Sequence, residues 1–159
     1  MWLLGRFGIS DTYSGPLLAV AMMTIGFASI ASAGLARRYG TVKAIVMCQG
    51  SSTIFMLALA FVPNAATAGA FIIIRAMLMN MSGPLTDSFL MGIISKEERG
   101  LASAINSIVW RLPHSVTTVV GGILLGMGMY DIPFFLATAF YIVAIALFYA
   151  NFRGVEPKE

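Results

Sequence analysis

The chain has 159 residues, 58% of them hydrophobic and 11% charged, with a formal net charge of +3. That apolar excess is beyond what a soluble domain carries and marks an integral membrane protein, the mean hydropathy of +0.87 agreeing. The basic residues lie mostly in short segments between apolar runs, which is a topology signal rather than a nucleic-acid surface.

In chain order, MWLLGRFGIS is no signal peptide, because its apolar stretch is short and its positive charge comes second. A span needs roughly 20 apolar residues, so residues 1–12 read as the end of a helix that starts upstream. Five spans are expected after them, at about 16–36, 42–61, 65–94, 101–129 and 132–152. The fold class is therefore an all-α membrane protein, a multi-pass bundle forming one domain over 1–159 with a polar tail at 153–159. The first span is rich in small residues that let helix backbones approach. Ser95 and Glu98 are spaced as a capping box for the fourth span. Gly122 and Gly126 form a GxxxG pair, expected at a close helix contact within the bundle. Cys48 stands alone in an apolar run, so no internal disulfide and no cysteine metal site is available. No Ser/His/Asp set, second histidine or pair of carboxylates within one span supports an intramembrane enzyme, and no metal or cofactor is expected.

Orientation follows from the loops. Arg37, Arg38, Lys43, Lys96, Arg99, Arg153 and Lys158 fall on one side and only Arg6 on the other. The bias places the first side and the C-terminus in the cytoplasm of a cell-membrane protein, with the N-terminus outside.

Two loops carry a resemblance. In AGLARRYGTVKAI, the residues Leu35, Ala36, Arg38, Gly40 and Lys43 resemble the short loop signature of the major facilitator superfamily, with Arg37 at the place of the family's aspartate and Thr41 at that of a basic residue. In KEERGLASA, Glu98, Arg99 and Gly100 resemble the family's junction between helices ten and eleven. The resemblance implies the C-terminal half of such a transporter, from the end of helix seven through helix twelve. It implies that the first, third and fourth spans flank a cavity and that the second and fifth face lipid. A six-helix N-terminal half would be the partner, beside the lipid bilayer and a small-molecule solute.

The polar residues inside the spans are the candidate solute path. A charge at the bilayer centre costs about 2.5–3.5 kcal/mol on insertion scales, so it needs a partner or a use. On the fourth span Ser107, Arg111 and His114 share one face with Ser115, Thr118 and Gly122. Arg111 either attracts an anion or serves a structural pair. His114 either carries protons or packs through a hydrogen bond. On the third span Asn80 and Asp87 share a face, and Arg75 lies roughly 120° around from Asp87. Asp87 is expected to pair with Arg111 across the helices, or to be hydrated in a cytoplasmic vestibule. Arg75 binds a substrate anion or snorkels outward. Pro84 and Pro113 each free a backbone carbonyl and are hinge candidates. The leading function is a secondary-active transporter, or a fragment or half of one, moving a small solute by alternating access. The alternatives are a transport-inactive remnant of a truncated transporter gene, or a small oligomeric membrane protein without transport activity.

Overall fold

The computed structural model describes residues 2–8 and 14–155, and these are helical, with no strand among the described residues. In chain order the helices are α1 (Trp2–Phe7), α2 (Ser14–Tyr39), α3 (Thr41–Leu59), α4 (Ala65–Ile93), α5 (Arg99–Gly126) and α6 (Ile132–Phe152). Helix is the expected answer for such apolar runs, because in lipid each backbone group has to be satisfied within its own segment. By length and apolarity α3, α4 and α6 can each cross a bilayer. In α2, Ala19–Ala28 and Ile30–Tyr39 qualify together as a pair bent by 42°. No proline lies at that bend. Gly26 and Thr24, whose hydroxyl donates to the Ala21 carbonyl at 2.6 Å, weaken the turns just before it.

Local chemistry sets the helix ends. Gly40 separates α2 from α3 with φ 83° and ψ 153°, a conformation open essentially to glycine. Its N–H donates to Ala36 O at 2.9 Å, closing α2, and its carbonyl accepts from Ala44 N at 3.0 Å, opening α3. At the start of α4 the Asn64 side chain accepts from the Thr67 N–H (2.9 Å) and from the Thr67 hydroxyl (2.8 Å). At the end of α5, Gly128 takes φ 77°. Its N–H reaches Leu125 O at 3.1 Å and that of Met129 reaches Leu124 O at 3.0 Å, a Schellman closure. The expected capping box at Ser95 does not form. The Ser95 hydroxyl donates to the Glu98 carboxylate (2.7 Å) rather than accepting from its N–H. Helix α5 therefore begins at Arg99, with Glu98 as a cap residue lacking a side-chain cap bond.

Packing follows an antiparallel seam between α3 and α4, covered by α2 on one side and α6 on the other. The seam has three tiers. At one end Leu59, Val62 and Ala68 are buried under Leu3, Phe7, Phe71, Ile72 and Phe134. In the middle Ala28, Cys48 and Met81 pack with Leu35 and Met77. At the other end Val42, Ala44, Ile45, Leu85 and Phe89 meet Leu35, Ala36, Phe148 and Phe152. Edge-to-face rings pack at the two ends: Phe55 with Phe71 at 5.5 Å, and Phe89 with Phe152 at 5.4 Å and Phe148 at 5.8 Å.

Helix α3 packs against α4, α6 and α2 with eight buried residues and leaves Met47, Ile54 and Leu57 exposed. One expectation is corrected here. The GxxxG pair makes no close contact: a Cβ at Gly122 or Gly126 would meet nothing within 4 Å. Helix α5 touches the bundle mainly through α6.

One polar contact ties three elements together. Arg6 at the end of α1 forms an ion pair with Asp131, the residue before α6, and donates through Nη2 to Ala60 O at 3.0 Å after α3. The Ala60 carbonyl lies past the last turn of α3, where carbonyls lack helical donors. The side chains are 24% and 48% exposed, so solvent screens the pair.

Two outcomes follow. In steric-trap or denaturant unfolding of the bilayer-embedded protein, Phe89→Ala should cost about 3–5 kcal/mol, because it empties a fully packed tier. Phe140→Ala, at a side chain 72% exposed, should change little by comparison. A double-mutant cycle on Arg6→Ala and Asp131→Ala should give a coupling of roughly 0.5–1 kcal/mol; a coupling near zero would remove the clamp from the list of stabilising contacts.

Candidate functional site

Helix α4 carries the charged candidates Arg75 and Asp87, and it has two unlike faces. The packed face runs through Ala68, Arg75, Ser82 and Phe89 at seven-residue spacing; Ala68, Ser82 and Phe89 are buried, and Arg75 is half-buried. The open face carries Gly83, Pro84, Asp87 and Ser88, all exposed, with Asn80 half-buried at its edge.

On the packed face, Ser52 of α3 donates its hydroxyl to the Arg75 carbonyl at 3.4 Å. The Arg75 Nε is buried and has no hydrogen-bond partner among the described residues. An unsatisfied buried donor of this kind costs about 1–3 kcal/mol, more when charged. Arg75 lies ten residues into α4, roughly 15 Å from its N-terminal end at 1.5 Å per residue.

The stretch around Pro84 is held by side chains bonding back to the helix. Asn80 Nδ2 donates to Ala76 O (2.7 Å), Ser82 Oγ to Met79 O (2.8 Å) and Thr86 Oγ1 to Ser82 O (2.9 Å). These bonds satisfy polar groups without a second helix and soften the turn that Pro84 already deprives of one backbone donor. The helix nevertheless runs through Pro84 without a break.

Asp87 is exposed and makes no hydrogen bond or ion pair with a described residue. It stands 12 residues from Arg75, roughly 18 Å along the axis and on the other face, so the two do not meet. Arg111, Pro113 and His114 belong to α5 by their backbone, and their side chains lie outside the described residues, as therefore does the expected Asp87–Arg111 pair. Ser107 is exposed on the same helix. Among the described residues no group of His, Cys, Asp or Glu is arranged to hold a metal ion.

The loop motif divides by role. Leu35 and Ala36 pack against the Val42 tier. Arg38 and Lys43 are exposed, and the Arg38 guanidinium lies 5.5 Å from the centre of the Tyr39 ring. Gly40 makes the turn. In the second loop Glu98, Arg99 and Gly100 are exposed around the start of α5. Sequence reasoning missed the Arg6–Asp131 pair, whose members are 125 positions apart. It also missed the buried hydroxyls of Ser52 and Thr138, and the Thr138 hydroxyl has no partner among the described residues. Burial of a single small hydroxyl leaves no periodic signal.

Gly40→Ala should lower stability by about 1–3 kcal/mol. A Cβ there meets nothing within 4 Å, so the cost is that of the backbone conformation alone. Thermal unfolding of the purified variant beside Gly34→Ala, at a glycine with an ordinary helical backbone, separates the two: only the Gly40 variant should melt lower.

Compared with known proteins, the family profile described as Major Facilitator Superfamily matches residues 1–159. No curated protein and no solved structure matches the chain.

Proposed function

Because the chain belongs to the major facilitator superfamily, a family of transporters, we propose that it is a half, or part of one, of a secondary-active transporter. In this reading it moves a small solute across the cell membrane by alternating access. The observation that carries the reading is the asymmetry of the bundle. The open face of α4 exposes Asp87 and Ser88 and α5 exposes Ser103 and Ser107 among apolar side chains, whereas beyond Lys43 the exposed side chains of α3 are the apolar Met47, Ile54 and Leu57. Polar groups at membrane depth persist where they line water or meet protein. In the proposal that side is the wall of the solute path, and a six-helix half forms the opposite wall.

In this proposal Asp87 and Ser107 line the path, Arg111 and His114 are assigned to it by their sequence spacing alone, and Pro84 and Pro113 are the points where the halves flex. The side chains bonded back around Pro84 support a hinge there, because they keep polar groups satisfied while the backbone ladder is incomplete. The chain spans with its N-terminus outside and its C-terminus in the cytoplasm. This rests on the basic residues, together with the co-location of Arg6, Ala60 and Asp131 at the opposite end of the bundle from Arg38 and Lys43.

Transport and topology are tested together. Cysteines placed at Lys43 and Glu97 in a Cys48→Ser background should react with a membrane-impermeant maleimide only from the cytoplasmic side, and one placed at Asn64 only from outside. Proteoliposomes holding the chain, alone or joined to a separately produced six-helix half, should accumulate a solute against its gradient. His114→Ala should then abolish uphill movement and retain downhill exchange. Absence of solute movement in both preparations, with correct topology, would overturn the transporter reading in favour of a membrane protein without transport activity.

A further inference from the structure

We propose that the groove between α3 and α6 holds a phospholipid with an anionic headgroup, one acyl chain lying along the groove and the phosphate at Lys43 and Arg153. The inference goes beyond the transporter reading and does not depend on it, because neither α4 nor α5 lines this groove.

The two helices run antiparallel, since Val42, Ala44 and Ile45 at the start of α3 pack with Phe148 and Phe152 at the end of α6. Val46, Gly50 and Leu57 stand on one wall of the groove and Thr138, Ile142 and Tyr149 on the other. Gly50 keeps it open: a Cβ there would meet nothing within 4 Å. From Val46 to Leu57 is roughly 16 Å at 1.5 Å per residue, and Thr138 to Tyr149 is the same. A hydrocarbon core of about 30 Å gives each leaflet about 15 Å, so the groove has the length of one leaflet. Its lining is almost wholly apolar, and Leu57 and Ile142 are exposed on its two walls. Its volume of about 380 Å³ decides between a chain and a helix. A helix 10 Å across fills about 1,250 Å³ over this length, so a second helix would rest on the groove, whereas an acyl chain lies within it.

The charges at one mouth select the headgroup. Lys43 lies one turn before Val46, and Arg153 one turn after Tyr149, where the backbone is still helical. Lys43 is seven residues from Gly50 and Arg153 eleven from Ile142, spacings that return to the same helix face, so both cations stand on the groove side. Both are exposed, and neither side chain has an ion pair or hydrogen bond with a described residue. Neither α3 nor α6 contains an acidic residue, and Asp131, just before α6, is bound to Arg6 at the opposite end of the bundle. Long cationic stems flanking the top of an apolar trough present their charges at headgroup level, with the chain below. A net-anionic lipid is preferred to a zwitterionic one, which brings its own ammonium up to two uncompensated cations.

The experiment is native mass spectrometry of the full chain, released from mild detergent with phosphatidylglycerol or phosphatidylcholine of identical acyl chains. One phosphatidylglycerol should be retained in preference to phosphatidylcholine. Lys43→Gln and Arg153→Gln should each weaken its retention about fivefold, the effect of one basic residue at an anionic surface. Lys96→Gln and Arg99→Gln, at the same end of the bundle but away from the groove, should leave it unchanged. Gly50→Leu, which fills the groove from an open position, should abolish it. If that variant does not fold, the wild type decides: phosphatidylglycerol carrying a diazirine at mid-chain should label α3 and α6, and labelling confined to other helices overturns the site. Equal retention of the two lipids also overturns it. So does a loss at Lys96 and Arg99 as large as at Lys43 and Arg153, which means a diffuse charge effect, or undiminished binding in folded Gly50→Leu. Competition by glycerol phosphate as effective as that of the whole lipid overturns it in favour of a free-anion site. A lipid-free dimer that Gly50→Leu dissociates overturns it in favour of an interface between copies.

Discussion

The antiparallel seam between α3 and α4 is what the remaining helices are hung on. In water such a seam would be driven by burial of apolar surface. In a bilayer that drive is absent between helices, because lipid tails are as apolar as leucine. What remains is close packing, and the seam shows how it is reached. Small residues stand at the points of closest approach: Ala44, Ala68 and Ala28 are almost fully buried. Large rings fill the ends, Phe71 against Phe55 and Phe89 against the two α6 phenylalanines.

Polar contacts then fix the ends that packing leaves loose. The Arg6 clamp joins α1, the end of α3 and the start of α6, elements the apolar tiers hold only from one side. At the opposite end of the bundle the single-residue turn at Gly40 fixes α2 to α3 with no slack. A loop of one residue permits a narrow range of angles between its helices, so the packing of α2 on α4 is decided largely at Gly40. This links the short loop signature to the fold directly: its glycine is needed by the backbone, its Leu35 and Ala36 by the core, and its Arg38 and Lys43 are left free at the surface.

How much of this was legible depends on whether the signal was local. The all-helical class was legible, because apolar runs in lipid have one way to satisfy their backbones. The family was legible in two loops, where particular residues are demanded by turns and surfaces. Helix facing was not. Helix α3 carries no charge past its first turn, so its sequence holds almost no record of which side meets protein. The Arg6–Asp131 pair needed the tertiary structure, since neither residue is unusual in its own loop. The Ser95 expectation went astray for a different reason. The spacing of a capping box is the same as that of a serine hydroxyl donating to a carboxylate, and at Ser95 the carboxylate won. At Gly122 and Gly126 the motif was present and the neighbour was not.

The two faces of α4 bear on how one helix can serve both stability and movement. A helix that slides or bends during transport must not carry its essential packing on the side that moves. Here the packed stripe runs through Ala68, Ser82 and Phe89, and the proline, the aspartate and the exposed glycine lie around the axis from it. Bending at Pro84 toward the open side therefore strains few contacts, while Ser82 and Thr86 keep bonding back to Met79 O and Ser82 O on the helix itself. Arg75 stands apart from this division, a charged residue on the packed side.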